Sequence, residues 1–497
     1  MKIQPIQTLI FILSVLSGLF FIAVIFPAKG LHIAPNTTLV FPKPQSILKK
    51  NQPEYADIEN IIELNEAEID SVDPNIAELT PEPIDTIRAN ANALKKSITR
   101  IEFPDNNPTI LYPAFRSMEQ AVKKGKVVRV LHYGDSQIEV DRITAFLRNK
   151  LQSKFGGCGV GLVPAKHLYD FSFSIDQQAS DNWYRYPVYG NRDTTILHKR
   201  YGLIASFNRF SPYPTDSNDI DTNTYSAWVS FNDSKFSYAN TKSFEMCRMF
   251  YGYNSEPFTT ELYKDDSLAF KNTYESSTGL KSAKWDFGKK INGITIQFNG
   301  KNSPEIYAIA LDGESGVAVD NIAMRGSSGL VFTKMDAALF RQMIKKLDVK
   351  LILLQFGGNV VPNQSVNYNY YERWFSSQLA WIKENAPNTS IIVMGVADMS
   401  RKEKNYYVSY ESVVKVRNAM KKAAFANNVA YWDMYKAMGG ENSMPSWVFA
   451  NPPLATSDFV HFTTRGAKVI ANMFYNALWY EYNRYVQQKN TEIASEN

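Results

Sequence analysis

The chain has 497 residues, 44% apolar and 21% charged, and a net charge of only +5. It is too long for one compact core, so two or three units are expected, and with no dense Lys/Arg block nucleic acid is not a partner. Its two cysteines, Cys158 and Cys247, stand far apart without metal-ligand spacing. They indicate neither a zinc site nor a disulfide framework, and a single bridge between them stays open.

Lys2 precedes an uncharged, apolar run from Thr8 to Phe26. About 20 apolar residues span a bilayer as a helix, whereas a signal-peptide core has about 7–15. No cysteine and no clear small-residue cleavage site follow closely. Residues 1–29 are therefore read first as an uncleaved transmembrane signal anchor and second as a long cleaved signal peptide. Either sends the rest of the chain across a membrane. Residues 30–105 follow as an acidic, Pro-containing tether. Its stretch NQPEYADIENIIELNEAEIDSVDPNIAELTPEP has too little apolar surface to offset chain entropy. It is expected to be largely disordered, with a transient helix over Ile58–Ile69.

Globular texture begins at 106. PAFRSMEQAVKKGK predicts a helix and VVRVLHYGD a buried strand. Val140, Ile143, Phe146, Leu147 and Leu151 keep helical spacing after it. The glycines of FGGCGVGLVP follow a helix and lack phosphate-loop spacing, so they receive no phosphate role. Residues 166–310 alternate aromatic with polar residues in short runs, as in NTYSAWVSFND and INGITIQFNG, and predict an antiparallel β-sandwich. From 311 to 485 strands and helices alternate: GVAVDNIAMRG, MDAALFRQMIKKLD, VKLILLQFGGN, YYERWFSSQLAWIKENAP, TSIIVMGVADMS, SVVKVRNAMKKAAFANN, VAYWDMY and a last helix from about Thr463. That alternation predicts a parallel sheet covered by helices. The β-rich segment interrupts it as an insertion, and residues 486–497 form a tail.

Sites in open α/β sheets form beyond the carboxyl ends of the strands. The residues expected there are Gly134-Asp135-Ser136, Arg325-Gly326-Ser327, Gly357-Gly358-Asn359 and, before the last helix, Asp458 and His461. They are parts for acyl transfer. Ser136 would be the nucleophile, His461 its base and Asp458 the residue that orients the imidazole. The Ser136 and Gly326 N–H groups and the Asn359 amide would hold the oxyanion. A side chain at 326 would block substrate from that N–H.

These four stations, in this order, resemble the SGNH (GDSL-type) hydrolase superfamily over about 106–165 and 311–485. Val360 follows Asn359 where many members carry an acidic residue. GDSQIEVDRITAFLRNKLQSKFGGCGVGLV, GVAVDNIAMRG and GGENSMPSW with DFVHFTTRG are further similar to bacterial peptidoglycan O-acetylesterases. In those, a carbohydrate-binding β-sandwich interrupts the domain. The resemblance implies a three-layer α/β/α, flavodoxin-like parallel sheet and a serine O-acetylesterase of the cell envelope. It implies an O-acetylated glycan as substrate, peptidoglycan first, and no metal or organic cofactor. The protein would be periplasmic or extracytoplasmic, held at the inner membrane by its N-terminal helix. Two other readings stay open. One is a glycan O-acetyltransferase using the same triad beside membrane acetylation machinery. The other is a glycan-binding protein with a vestigial triad.

Blander roles are weighed for single residues. Ser136 and Asn359 are good turn residues, and Asp135 is expected to hold its turn through backbone N–H groups rather than act as the triad acid. His132 is read as structural and Trp447 as packing. Arg325 is read as one half of a surface ion pair. Trp183, Trp228, Tyr251 and Trp285 are read as core of the insert.

Overall fold

The computed structural model describes residues 5–27, 31–34, 37–39, 41, 53–70, 98–169, 171–214 and 223–496. Met1–Glu54 and Tyr55–Asn497 form separate compact units. The first contains helix Pro5–Ile25 and a hairpin that pairs Leu31–Ala34 with Thr37–Leu39. That helix is the one segment among the described residues long and apolar enough to cross a membrane, with a mean hydropathy of 2.7.

In the second unit six strands form the main sheet: β1 (Ile101–Glu102), β2 (Val127–Gly134), β3 (Gly316–Ala323), β4 (Val349–Gln355), β5 (Ser390–Met394) and β6 (Ala430–Trp432). They stand in the order β3-β2-β4-β5-β6-β1. Only β1 is antiparallel to its neighbour. The strand order therefore changes direction between β2 and β4, and that crevice is where such sheets bind ligands. Runs of Val, Ile and Leu allow the strands to be buried on both faces. Val130, Leu351, Leu353 and Ile392 pack with helices Tyr112–Gln120, Thr144–Phe155 and Thr464–Glu496. Their neighbours Leu131, Ile352, Leu354 and Val393 pack with helices Ala337–Lys346, Asn369–Asn385 and Ser412–Ala426. Asp336 starts one of these helices by accepting the Leu339 N–H at 2.7 Å.

Between β2 and β3 the chain builds two antiparallel sheets whose inner faces meet. Cys247, Met249, Trp285 and Leu311 of one pack with Val229, Phe231, Ile296 and Phe298 of the other. Strand pairing carries the insert from Gly161–Val163 to Glu305–Asp312, a little beyond 166–310 at both ends. Cys158 and Cys247 are both buried free thiols, which closes the open question of a bridge. Buried Arg129 of β2 ties the insert to the sheet. It pairs with Asp320 of β3 at 2.6 Å and with Asp312 on the last strand of the insert. Asp320 also accepts the Leu162 N–H at 2.7 Å.

The stretch 30–105 departs from a plain spacer where it is described. Glu59–Asp70 is a helix, and Ile58 is buried in the core formed with the C-terminal helix. Asn472 Nδ2 donates to Asn65 Oδ1 at 3.0 Å, and Ser446 Oγ donates to the Ala56 carbonyl at 2.6 Å. β1 lies in the same stretch and pairs with β6. The acidic composition suggests a solvated chain, but Ile58, Ile61 and Ile62 pack on the core that includes the C-terminal helix, and tertiary packing of an apolar face is what holds a short helix. The rest of the expected tether, chiefly 42–52 and 71–97, lies outside the described residues.

Candidate active site

β2 ends at Gly134, and the chain turns at once into a short 3₁₀ segment, Ser136–Asp141. Asp135 caps that segment: its Oδ1 accepts the Gln137 N–H at 3.0 Å, as expected for a residue that holds the turn. Burial pushes the Asp135 carboxyl up to about 6, against that hydrogen bond and the nearby His461. Ser136 occupies the first position, half-buried, where the strand stops.

The partner of Ser136 comes from a loop more than three hundred residues later. His461 Nε2 lies 2.8 Å from Ser136 Oγ, and His461 Nδ1 lies 2.7 Å from Asp458 Oδ2. Asp458 Oδ1 accepts the Val460 and His461 N–H groups at 2.9 and 3.0 Å and the Thr456 hydroxyl at 2.6 Å. Partial burial works against its charge, but these hydrogen bonds win and hold the carboxyl down at about 2. An ionised Asp458 accepts a hydrogen bond from His461 Nδ1–H, which leaves Nε2 as an acceptor for the serine hydroxyl. The three groups can thus move a proton from Ser136 to His461 and stabilise the imidazolium that forms.

The loop is fixed from three sides. Gln137 Nε2 donates to the Val460 carbonyl at 2.6 Å. Phe459 sits at φ +59°, and its carbonyl accepts the Ser400 N–H at 3.1 Å. On the helix behind, a Cβ at Gly466 would lie 1.8 Å from the Leu454 carbonyl oxygen, so only glycine allows this approach.

Asn359 meets the turn that holds Gly326 and Ser327. Asn359 Nδ2 donates to the Ser327 carbonyl at 3.0 Å and makes a longer contact, 3.5 Å, with Asp135 Oδ2. One amide therefore joins the loops after β2, β3 and β4. Gly326 has φ +75°, and a Cβ there would meet no atom within 4 Å. Backbone conformation demands glycine at 326, and the space beside it is open.

Residues assigned blander roles divide clearly. His132 is buried, with Nε2 3.1 Å from Gln355 Oε1 and Nδ1 2.9 Å from Thr144 Oγ1, and burial pushes it down to about 3. Trp447 is buried and donates to the Met438 carbonyl at 2.9 Å. Trp183, Tyr251 and Trp285 are core, while Trp228 is exposed. Arg325 does form an ion pair, but with a buried partner: Nε and Nη2 reach Glu139 at 2.6 and 2.9 Å. Tyr169 donates to the same carboxylate at 2.8 Å. Glu139, Tyr169, Gln137 and Tyr407 were not singled out from the sequence. Glu139 and Gln137 could have been, since both stand within three residues of Ser136. Among the described residues no group of three or more His, Cys, Asp and Glu side chains is arranged to hold a metal ion.

Sheet order and the switch-point crevice give this chain the SGNH (GDSL) hydrolase fold. The chain is similar in structure to a peptidoglycan O-acetylesterase, at 18% identity and a TM-score of 0.58, over 76% of this chain and 98% of that one. Other similar structures are an acetyl xylan esterase (14% identity, TM-score 0.26, 32% of this chain and 81% of that one) and an acetylxylan esterase from Geobacillus stearothermophilus (19%, 0.25, 32% and 72%). No protein-family model and no curated protein matches the sequence.

Proposed function

We propose that the chain is an exported serine esterase that removes O-acetyl groups from a cell-envelope glycan, peptidoglycan first. The observation that carries this is the Ser136–His461–Asp458 relay, closed at 2.8 and 2.7 Å, with Asn359 bonded to the Ser327 carbonyl and in longer contact with Asp135. Ser136 Oγ attacks the acetyl carbonyl as its proton passes to His461 Nε2. The oxyanion rests against the Ser136 and Gly326 N–H groups and the Asn359 amide. The tetrahedral intermediate expels the sugar oxygen, which takes the proton from His461, and leaves acetyl-Ser136. Water repeats the steps and releases acetate. Helix Pro5–Ile25 would anchor the enzyme in the inner membrane, with the chain that follows it, up to Glu54, leading to the globular part. The globular part is read as a three-layer α/β/α domain with a carbohydrate-binding insert.

The test uses the detergent-solubilised full chain with p-nitrophenyl acetate and with O-acetylated muropeptides. Acetate release from both, abolished in Ser136→Ala with an unchanged circular dichroism spectrum, supports the reading. Release that requires an added oligosaccharide acceptor would make the chain a transferase. No turnover with either substrate would leave a glycan-binding protein.

A further inference from the structure

The segment that carries the nucleophile does not keep its shape by local means. Within Ser136–Asp141, Glu139 leaves the helical region at ψ 153°, and Val140 and Asp141 follow at φ +52° and +68°. Two successive left-handed residues without a glycine, one of them β-branched, are an arrangement that the surroundings must impose. The insert bonds to each of these three residues. Tyr169 Oη donates to the Glu139 carboxylate at 2.8 Å. The Phe173 N–H donates to the Val140 carbonyl at 3.0 Å. Ser174 Oγ donates to the buried Asp141 carboxylate, which Arg148 Nη1 and Nη2 also grip at 2.5 and 3.2 Å.

These donors stand on fixed ground. The Ser174 carbonyl accepts the Ser237 hydroxyl at 2.7 Å, and the next residue opens the strand Ile175–Ala179, which pairs with Tyr225–Asp233. Burial and the bond to Glu139 push the Tyr169 phenol up, so it stays a donor. Hydrogen bonds to buried carboxylates are the strong kind, and losing one leaves the charge short of a partner. The segment hands the constraint on to the relay. Gln137 Nε2 donates to the Val460 carbonyl at 2.6 Å and Arg142 Nη1 to the Phe462 carbonyl at 3.4 Å, the residues on either side of His461. Arg142 Nε also donates to the Glu139 carbonyl at 3.2 Å, and the Glu139 carboxylate holds Arg325, the neighbour of Gly326. A shift of Glu139–Asp141 therefore moves Ser136 against His461 and disturbs the turn that carries Gly326.

We propose that the insert is a positioning element for the nucleophile: Tyr169, Phe173 and Ser174 hold Glu139–Asp141 in a turn that the segment would not keep alone, and so set Ser136 in line with His461. Tyr169 and Ser174 are positioning residues, acting through Glu139 and Asp141. The proposal rests on the serine relay of the proposed function and is independent of which ester is cleaved.

The test compares the detergent-solubilised full chain with Tyr169→Phe, Ser174→Ala and the double variant, using p-nitrophenyl acetate. The double variant should lose about tenfold or more in kcat with KM within about twofold, because a nucleophile out of line slows chemistry rather than binding. Ser136 should react with a fluorophosphonate more slowly by a similar factor. Trp228→Ala, at an exposed position on strand Tyr225–Asp233 of the insert, should keep both rates within about twofold of the parent. Equal kcat and equal labelling in the double variant and an active parent overturn the proposal. Backbone hydrogen exchange, read by mass spectrometry, is the second measurement and needs no activity. Peptides covering 136–142 should exchange faster in the double variant, while those of β4 and β5 stay as in the parent. Unchanged exchange across 136–142 overturns the proposal. A parent chain that neither turns over ester nor labels at Ser136 would sink the serine relay, and exchange at 136–142 would still decide whether the insert holds the turn.

Discussion

The ring of Tyr407 lies flat on that of Phe459, with centroids 3.5 Å apart and planes 9° from parallel. Phe459 stands between Asp458 and His461 at φ +59°, a conformation that costs a bulky residue on the order of 1–3 kcal/mol. Tyr407 belongs to the hairpin that pairs Ser400–Glu403 with Tyr406–Ser409, away from the strand ends that carry the candidate site. Its ring, and the Phe449 ring at 5.7 Å on another side, hold Phe459 in place. Tyr407→Ala is expected to lower kcat by roughly 10- to 100-fold with little change in KM for p-nitrophenyl acetate, because the loop loses its alignment. Tyr407→Phe keeps the stack and should restore the rate. Equal kcat in Tyr407→Ala and the parent chain would show that the strain is held elsewhere.

Asn359 and Gly326 should separate by mechanism of loss. Asn359→Ala removes a donor, and its kcat is expected to fall by about 10²–10³-fold. Gly326→Ala meets no steric clash but forces a residue with Cβ to φ +75°. It should cost about 1–2 kcal/mol of stability and turn the N–H away from the oxyanion. Thermal unfolding together with steady-state kinetics reads both effects.

Arg129 is buried between two carboxylates. Arg129→Met leaves Asp312 and Asp320 facing each other without a cation. The expected destabilisation is about 3–5 kcal/mol, measured as a fall in the urea midpoint. Adding Asp312→Asn and Asp320→Asn should recover much of it, since the charges that required the arginine are then gone.

The raised Asp135 gives a pH dependence of definite sign. Between its ordinary value of 3.8 and about 6, the folded chain holds a proton that the unfolded chain has released. Stability from this group is complete below pH 3.8 and is lost as the pH rises through about 6. Asp135→Asn, which keeps an oxygen for the Gln137 N–H, should therefore gain on the parent chain between pH 4 and pH 7.5, by at most about 3 kcal/mol. Urea unfolding at the two pH values checks this, and an equal gap at both would contradict it.

Much of the site was legible in the sequence because its parts are local. Asp458 and His461 are three residues apart and meet within one turn, so their pairing needs no knowledge of the fold. Ser136 follows a buried strand at a Gly-Asp turn, and the alternation of apolar strands with amphipathic helices placed it at a sheet end. The Glu139–Arg325 pair joins residues 186 positions apart, and Tyr407 reaches Phe459 from a separate hairpin. No periodicity signals either contact. The Arg129 trio was hidden for the same reason: its carboxylates come from the insert and from β3.

By itself, the sequence determined where strands β2 to β6 and the helices between them lie, where the apolar N-terminal helix lies and which residues end those strands. These follow from period, turn chemistry and nearest neighbours along the chain. Only the tertiary structure decided that Ser136 and His461 stand 2.8 Å apart, that Glu59–Asp70 folds, and that a cavity opens between the insert and β3. Each of these depends on surfaces brought together across hundreds of residues, and burial and hydrogen bonding at such meetings are set by three-dimensional packing rather than by local pattern.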